Sequence, residues 1–179
     1  MAFSSQQLFM VERFLHLKRV ARSGWTRHPI PESEIESVAD HSFSMALLAW
    51  LFCPPELDRS RVLEMALVHD VPEIITGDLT PSQVTSQEEK NRSELLALDE
   101  LAGSLERGSC LKELVREYQQ QETAEARWVK SLDKLEMALQ SRVYEARHGV
   151  DLQEFRDSAE PYLERIAMEW INREKIDPV

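Results

Sequence analysis

Glycine is scarce in this chain, at five of 179 residues. Folds rich in tight β-turns lean on glycine, so a many-stranded sandwich or barrel is disfavoured and helices are expected. Cysteine is scarcer still. Cys53 and Cys110 form no CxxC pair and suggest no disulfide framework, which fits a reducing cytoplasm. No apolar run reaches the ~18–20 residues a membrane span needs. Gln6, Gln7 and Glu12 interrupt the apolar N-terminus where a signal-peptide core would lie. Positive charge is in deficit as well: 21 Lys and Arg stand against 32 Asp and Glu, a net charge of −11. The field of such a chain repels nucleic-acid polymers and anionic membranes, while a local basic pocket can still take a small phosphorylated metabolite. The expectation is a cytoplasmic protein whose partners include neither a nucleic-acid polymer nor a membrane.

What is present suits one compact domain spanning residues 1–179, with 42% hydrophobic and 30% charged residues. Glycines and prolines divide the chain into segments of helical periodicity. The spacing predicts a helix over residues 3–20 capped by Ser4 or Ser5, then a loop over 22–36 around Gly24, Pro29 and Pro31. A second helix runs from Ser37 to Phe52, with Val38, His41, Met45, Leu48 and Phe52 on one face. Cys53-Pro54-Pro55 ends it. Asp58 or Ser60 caps a third helix through His69, and Pro72 breaks it. A short helix over Pro72–Thr76 ends at Gly77. Pro81 restarts the chain. Helices follow over 88–102 (stopped by Gly103 and Gly108), 110–121, 124–147 (closed by Gly149) and 161–175. The fold class is all-α, a single helical bundle.

Some polar residues sit on apolar faces. His41 shares its face with Val38 and Met45, and His69 follows Val62, Met65 and Ala66, with Asp70 directly after it. Either histidine alone reads first as a core residue bonded to a backbone carbonyl, and Asp70 as a helix cap. Asp133 lies within the apolar stripe of Trp128, Val129, Leu132, Leu135, Met137 and Leu139. Burying its carboxylate costs several kcal/mol without compensation. Lys130 and Lys134 are near in sequence, but their helical spacing directs them away from Asp133. Two imidazoles and two carboxylates on buried faces make a divalent-metal site between helices. Such a donor set suits Mn²⁺, Fe²⁺, Co²⁺, Ni²⁺ or Zn²⁺, with Mg²⁺ less natural. Neighbours 69 and 70 diverge by roughly 100° in a regular helix, so they share one metal only where the helix ends, as Pro72 provides.

The order His41, His69-Asp70, Asp133 resembles the H…HD…D signature of the HD superfamily of metal-dependent phosphohydrolases. The words KRVARSGW (18–25), ESVADHSF (36–43), ALVHDVPEIITGDLTP (66–81) and AEARWVKSLDKLEMALQ (124–140) are similar to those of bacterial 5'-deoxynucleotidases and their eukaryotic HD-domain relatives. The likeness spans about residues 8–147, and the helix over 161–175 is expected to pack on that part. The resemblance implies an HD-type helical fold and hydrolysis of nucleoside 5'-monophosphates, deoxyribonucleotides preferred. It implies one divalent metal on His41, His69, Asp70 and Asp133, catalytic carboxylates at Glu73 and Asp78, and substrate contacts from Arg22 and Trp25. The stretch between Trp25 and His41 runs slightly longer than the family pattern.

The residues themselves allow these roles beside plainer ones. Glu73 lies one turn past Asp70 and suits a general acid, or a first-turn glutamate at a helix start. Asp78 after Gly77 suits orientation of water or sugar, or an ordinary turn. Arg22 belongs to a basic island with Lys18, Arg19 and Arg27. It suits a bidentate phosphate clamp, while Lys18 and Arg27 read as a solvated face. Trp25 either walls the sugar or anchors its loop. Dinuclear HD enzymes carry extra histidines after the HD pair, and none lies between His69 and His148. The alternatives are another HD phosphohydrolase acting on a different phosphorylated metabolite, and a non-catalytic helical metal-binding module. A homodimer fits the sequence without being required by it.

Overall fold

The computed structural model describes residues 3–80, 83, 86–102 and 105–173. Among them the structure is helical, and its one bridge of β type pairs Ala21 with Ser37. No helix among the described residues is long and apolar enough to cross a membrane.

Helix α1 (Ser5–Phe14) starts on Ser4, whose hydroxyl accepts the Gln7 amide while the Gln7 side chain accepts the Ser4 amide. The predicted helix over 3–20 ends earlier. The Leu15 amide is shared between the Val11 and Arg13 carbonyls, and the chain tightens into a 3₁₀ turn over Leu15–Arg19. The loop over 22–36 holds two further 3₁₀ turns, Trp25–Arg27 and Glu32–Glu34. Helix α2 (Val38–Phe52) is capped by Ser37 and Asp40 in the same reciprocal way. Its inward face carries Val38, His41, Met45 and Ala49, whereas Phe52, expected on that face, is 58% exposed.

Asp58 caps α3 (Arg59–Val68), accepting the Ser60 and Arg61 amides. After it come the short α4 (Glu73–Thr76) and Gly77 at φ +70°, a left-handed conformation that favours glycine. Helix α5 (Gln87–Ala102) begins close to its expected start, while Pro81 and Gly103 lie outside the described residues. Helix α6 (Gly108–Gln120) begins at Gly108 rather than after it, and Gln121 ends it in the left-handed region. A Cβ at Gly108 would stand 1.9 Å from the Ala102 carbonyl oxygen, so only glycine lets α6 leave α5 this closely. The long α7 (Ala124–His148) is capped by Thr123 and closed by Gly149 at φ +67°.

The C-terminal part differs most from expectation. A helix that periodicity did not reveal, α8 (Gln153–Ala159), buries Phe155 and Ala159, with Leu152 before it. Pro161, the expected start of the last helix, belongs to a 3₁₀ turn over Glu160–Tyr162. Leu163 is extended, and α9 (Arg165–Ile171) follows. Lys175 lies outside the described residues. Seven-residue helices hold through packing on α7 rather than through their own cooperativity, so a short apolar pattern signals them weakly.

Among the described residues, four apolar clusters fix the frame. Met45, Ala49, Val62, Met65, Val129 and Leu132 join α2, α3 and α7. Met10, Leu98, Leu101 and Val115 join α1, α5 and α6. Trp25, Ile30, Tyr144, Leu152 and Phe155 hold the 22–36 loop onto α7 and α8. Ala138, Ala159 and Ile171 join α7, α8 and α9. A cavity opens beside the third cluster, with Trp25, Phe155 and Met137 in its lining.

Candidate active site

The C-terminal end of α3, the first turn of α2 and the middle of α7 converge at one point. His41 and His69 are 0% and 3% exposed. With Asp70 they place one donor atom each within 4.8 Å of one another. His41 Nε2 lies 3.3 Å from Asp133 Oδ1 and 3.9 Å from Asp70 Oδ2, and His69 Nε2 lies 3.2 Å from Asp70 Oδ2. Residues 69 and 70 both reach this point because α3 stops at Val68. His69 is its C-cap, and the Val71 and Glu73 amides then turn back to the Val68 and Asp70 carbonyls. The predicted break before Pro72 is present.

The donor chemistry fits a divalent cation. Each Nδ1 is engaged elsewhere, His41 with Glu136 Oε2 at 2.7 Å and His69 with the Ala66 carbonyl at 2.9 Å. Both Nε2 atoms are buried without a hydrogen bond and face the carboxylates. A buried nitrogen in that position is costly unless its lone pair meets a cation or a donor. Burial and Arg22 oppose charge on His41, yet Asp133 and Glu136 raise its pKa to about 9, so the ring favours a second proton where no cation is bound, and a divalent cation at Nε2 would displace it. Burial opposes charge on Asp70 and Asp133 too. His69 and Arg22 nonetheless hold Asp70 well below the usual carboxylate range, and Lys130 and His41 do the same for Asp133. The cluster thus retains two carboxylates that attract positive charge.

Lys130 requires a correction. Expected to point away from Asp133, it brings its Nζ to 2.8 Å from Asp133 Oδ2 and 3.0 Å from the Tyr118 hydroxyl. Residues three apart on a helix are neighbours on one face, so the i,i+3 spacing itself favours this contact and the flexible lysine stem completes it. Tyr118 itself donates to Asp133 Oδ2 at 2.9 Å. Asp133 therefore shares one oxygen with Lys130 and Tyr118 and turns the other towards His41.

The remaining candidates line the same cavity of about 610 Å³. The Arg22 backbone is fixed by its N–H, which donates to the Glu36 carbonyl beside the Ala21–Ser37 bridge. Its Nη1 lies 3.4 Å from Asp70 and 3.5 Å from Asp78. Asp78 comes back to this loop through the Gly77 turn and accepts the Ser23 amide at 2.6 Å. Glu73 is 2% exposed. Burial, then Asp70 and Asp78, push its carboxyl well above the ordinary range, while Arg22 and Lys90 oppose the shift. Lys90 Nζ stands 3.8 Å from Glu73 and donates to the Leu79 carbonyl at 3.1 Å.

Trp25 anchors its loop. The ring is 2% exposed, packs edge-on against Tyr144 at 5.3 Å and against Phe155 at 4.1 Å, and donates from Nε1 to Glu36 at 2.8 Å. It also lines the cavity, so the anchoring and walling readings are compatible. Arg27, read as part of a solvated face, lines the cavity too, as do Lys130 and Lys134. Glu136 and Tyr118 escaped the sequence reading. The signal for Glu136 was available, since it stands three residues from Asp133 on the same face of α7. Tyr118 had none, because only the packing of α6 on α7 brings it to Asp133.

An all-helical bundle with two histidines and two aspartates converging at a broken helix defines a protein of the HD type. A family model described as an HD domain matches residues 14–170, and the chain belongs to this family. It is 35% identical over 164 residues to 5'-deoxynucleotidase hdd1 of Schizosaccharomyces pombe, covering 87% of this chain and 82% of that one. It is 40% identical over 146 residues to 5'-deoxynucleotidase HDDC2 of Homo sapiens, covering 79% and 71%. Among solved structures, the PH0347 protein of Pyrococcus horikoshii OT3 superposes with a TM-score of 0.76 at 31% identity, over 94% of this chain and 99% of that one. A Magnetospirillum magnetotacticum protein described as a predicted metal-dependent phosphohydrolase superposes with a TM-score of 0.71 at 26% identity, over 93% and 90%.

Proposed function

We propose that this chain is a metal-dependent phosphohydrolase that removes phosphate from nucleoside 5'-monophosphates and prefers deoxyribonucleotides. The observation that carries the reading is the pair of buried, unbonded Nε2 atoms of His41 and His69 facing Asp70 and Asp133, with Arg22 and Glu73 in the same cavity. The names of its relatives point the same way.

One divalent cation (Co²⁺, Mn²⁺, Fe²⁺, Ni²⁺, Zn²⁺ or Mg²⁺) held by His41, His69, Asp70 and Asp133 would acidify a water and polarise a phosphate oxygen. Arg22 stays charged and offers its fork to the other phosphate oxygens. Glu73, whose hold on its proton is strengthened by burial and its carboxylate neighbours, gives that proton to the departing 5'-oxygen as the P–O bond breaks. Asp78 holds the Ser23 amide and the Arg22 guanidinium, keeping the clamp in place. Trp25, fixed by Glu36, Tyr144 and Phe155, supports a rigid wall beside the sugar.

The whole chain, in this reading, is one HD domain with its C-terminal helix packed on α7, working in the cytoplasm. We further propose a homodimer through the outer face of α2, where Phe43, Leu47, Trp50 and Leu51 lie exposed at helical spacing. Light scattering on the wild type and on Trp50→Glu tests that contact, and a monomeric wild type would end it.

The decisive experiment is phosphate release from ribo- and deoxyribonucleoside 5'-monophosphates with each metal in turn. Deoxyribonucleotides should be the better substrates. Efficient hydrolysis of triphosphates but not monophosphates would assign the chain to another HD chemistry, and inactivity with every metal would favour the non-catalytic module.

A further inference from the structure

The two histidines of the cluster are held differently. His69 Nδ1 meets a backbone carbonyl, that of Ala66, whereas His41 Nδ1 meets a carboxylate, Glu136 Oε2, at 2.7 Å. Both members of the second pair are buried, His41 at 0% and Glu136 at 7% exposure. Asp133 and Glu136 stand one turn apart on α7, and between them they address both nitrogens of one imidazole, Asp133 at Nε2 and Glu136 at Nδ1. Glu36, tied to the Trp25 indole at 2.8 Å, brings a carboxylate oxygen within 4.8 Å of donor atoms of both Glu136 and His41.

We infer that Glu136 is a positioning residue for His41, fixing the ring and the tautomer that leaves the Nε2 lone pair facing Asp70 and Asp133. A neutral imidazole carries one N–H, and the nitrogen that holds it cannot ligate. By accepting that proton's hydrogen bond at Nδ1, Glu136 reserves Nε2 for the cation and makes it a stronger donor. Partners of this kind typically change metal affinity about 10–100-fold when removed. Glu136→Gln keeps size and hydrogen-bonding capacity but loses the charge. Its amide can also present an N–H to Nδ1, which would place the imidazole proton on Nε2, the wrong nitrogen.

This inference rests on His41 being a metal ligand, and the experiment separates the two. Metal-free wild type, Glu136→Gln, His41→Ala and Glu145→Gln are titrated with Co²⁺ by calorimetry, and the visible Co²⁺ spectrum is recorded. Circular dichroism checks the helical content of each. Glu145 is the control for losing a half-buried carboxylate on the same helix, since it pairs with Arg156 at 2.6 Å away from the cluster. Glu136→Gln should bind Co²⁺ about 10–100-fold more weakly with an altered spectrum, and Glu145→Gln should match the wild type. If His41→Ala weakens binding while folded Glu136→Gln leaves affinity and spectrum unchanged, the positioning role is overturned and the ligand stands. If His41→Ala binds as the wild type does, the ligand reading falls and this inference with it. Should Glu136→Gln lose its helical signal, Glu136→Asp replaces it. That variant keeps the charge but draws it back by one methylene, so weaker binding is again expected and unchanged binding overturns the role.

Discussion

Arg22 and Asp70 are 48 residues apart in sequence, and their side chains meet at 3.4 Å. The contact places a guanidinium beside a carboxylate that is itself 3.2 Å from His69 Nε2. Burial opposes charge on Arg22, but Asp78 and Asp70 more than offset it and hold the group protonated. A phosphate entering the cavity meets a cation already oriented, with little side-chain entropy left to lose.

Arg22→Ala should therefore raise KM strongly for every nucleotide, because all substrates share the phosphate. Trp25→Ala should behave differently, narrowing the gap between deoxyribo- and ribonucleotides by up to about 1–3 kcal/mol if the ring bounds the sugar. Steady-state kinetics on paired substrates measure both. Equal losses on both sugars would reduce Trp25 to its anchoring contacts with Tyr144 and Phe155.

Asp70→Ala should lose the bound cation. Elemental analysis of purified wild type and variant reads this directly, and equal metal content in the two would remove Asp70 from the ligand set. A chelator should also lower the melting temperature of the wild type, because the cation binds the folded chain alone.

Glu73→Gln should reduce kcat by about 10²–10⁴-fold while metal content is retained. The pH profile gives the sign. A general acid works protonated, and the folded Glu73 has its pKa raised by burial and by Asp70 and Asp78. Activity should persist above the ordinary glutamate range and fall as pH rises through the raised value. That alkaline limb should vanish from the residual activity of Glu73→Gln. A profile unchanged by the substitution would place the acid elsewhere.

Gly108→Ala tests the close approach of α6 to α5. The added methyl would meet the Ala102 carbonyl oxygen at 1.9 Å, so backbone must shift. A loss of about 1–3 kcal/mol is expected from forced overpacking, measured by denaturant unfolding. Catalytic constants should change little, since Gly108 lies outside the cavity lining.

Much of this protein was readable from one dimension. The caps at Ser4, Ser37 and Asp58 bond to amides two or three residues away, so local spacing determines them. The same holds for the break after His69 and for the closing glycines Gly77 and Gly149. His41, His69, Asp70 and Asp133 stood out because ionisable groups are costly on apolar faces. Other features depended on contacts between distant segments. Tyr118 reaches Asp133 only with α6, whereas Lys130 stands at an i,i+3 spacing that already allows its contact. Helix α8 is too short to announce itself, and α9 is shorter than its expected span over 161–175; both hold by packing on α7. The sequence determined which ionisable residues stand on apolar faces and where the helices begin and end, because burial cost and capping act over a few residues. The tertiary structure alone decided which nitrogen of each histidine is free, because that depends on the partner each ring meets across the core.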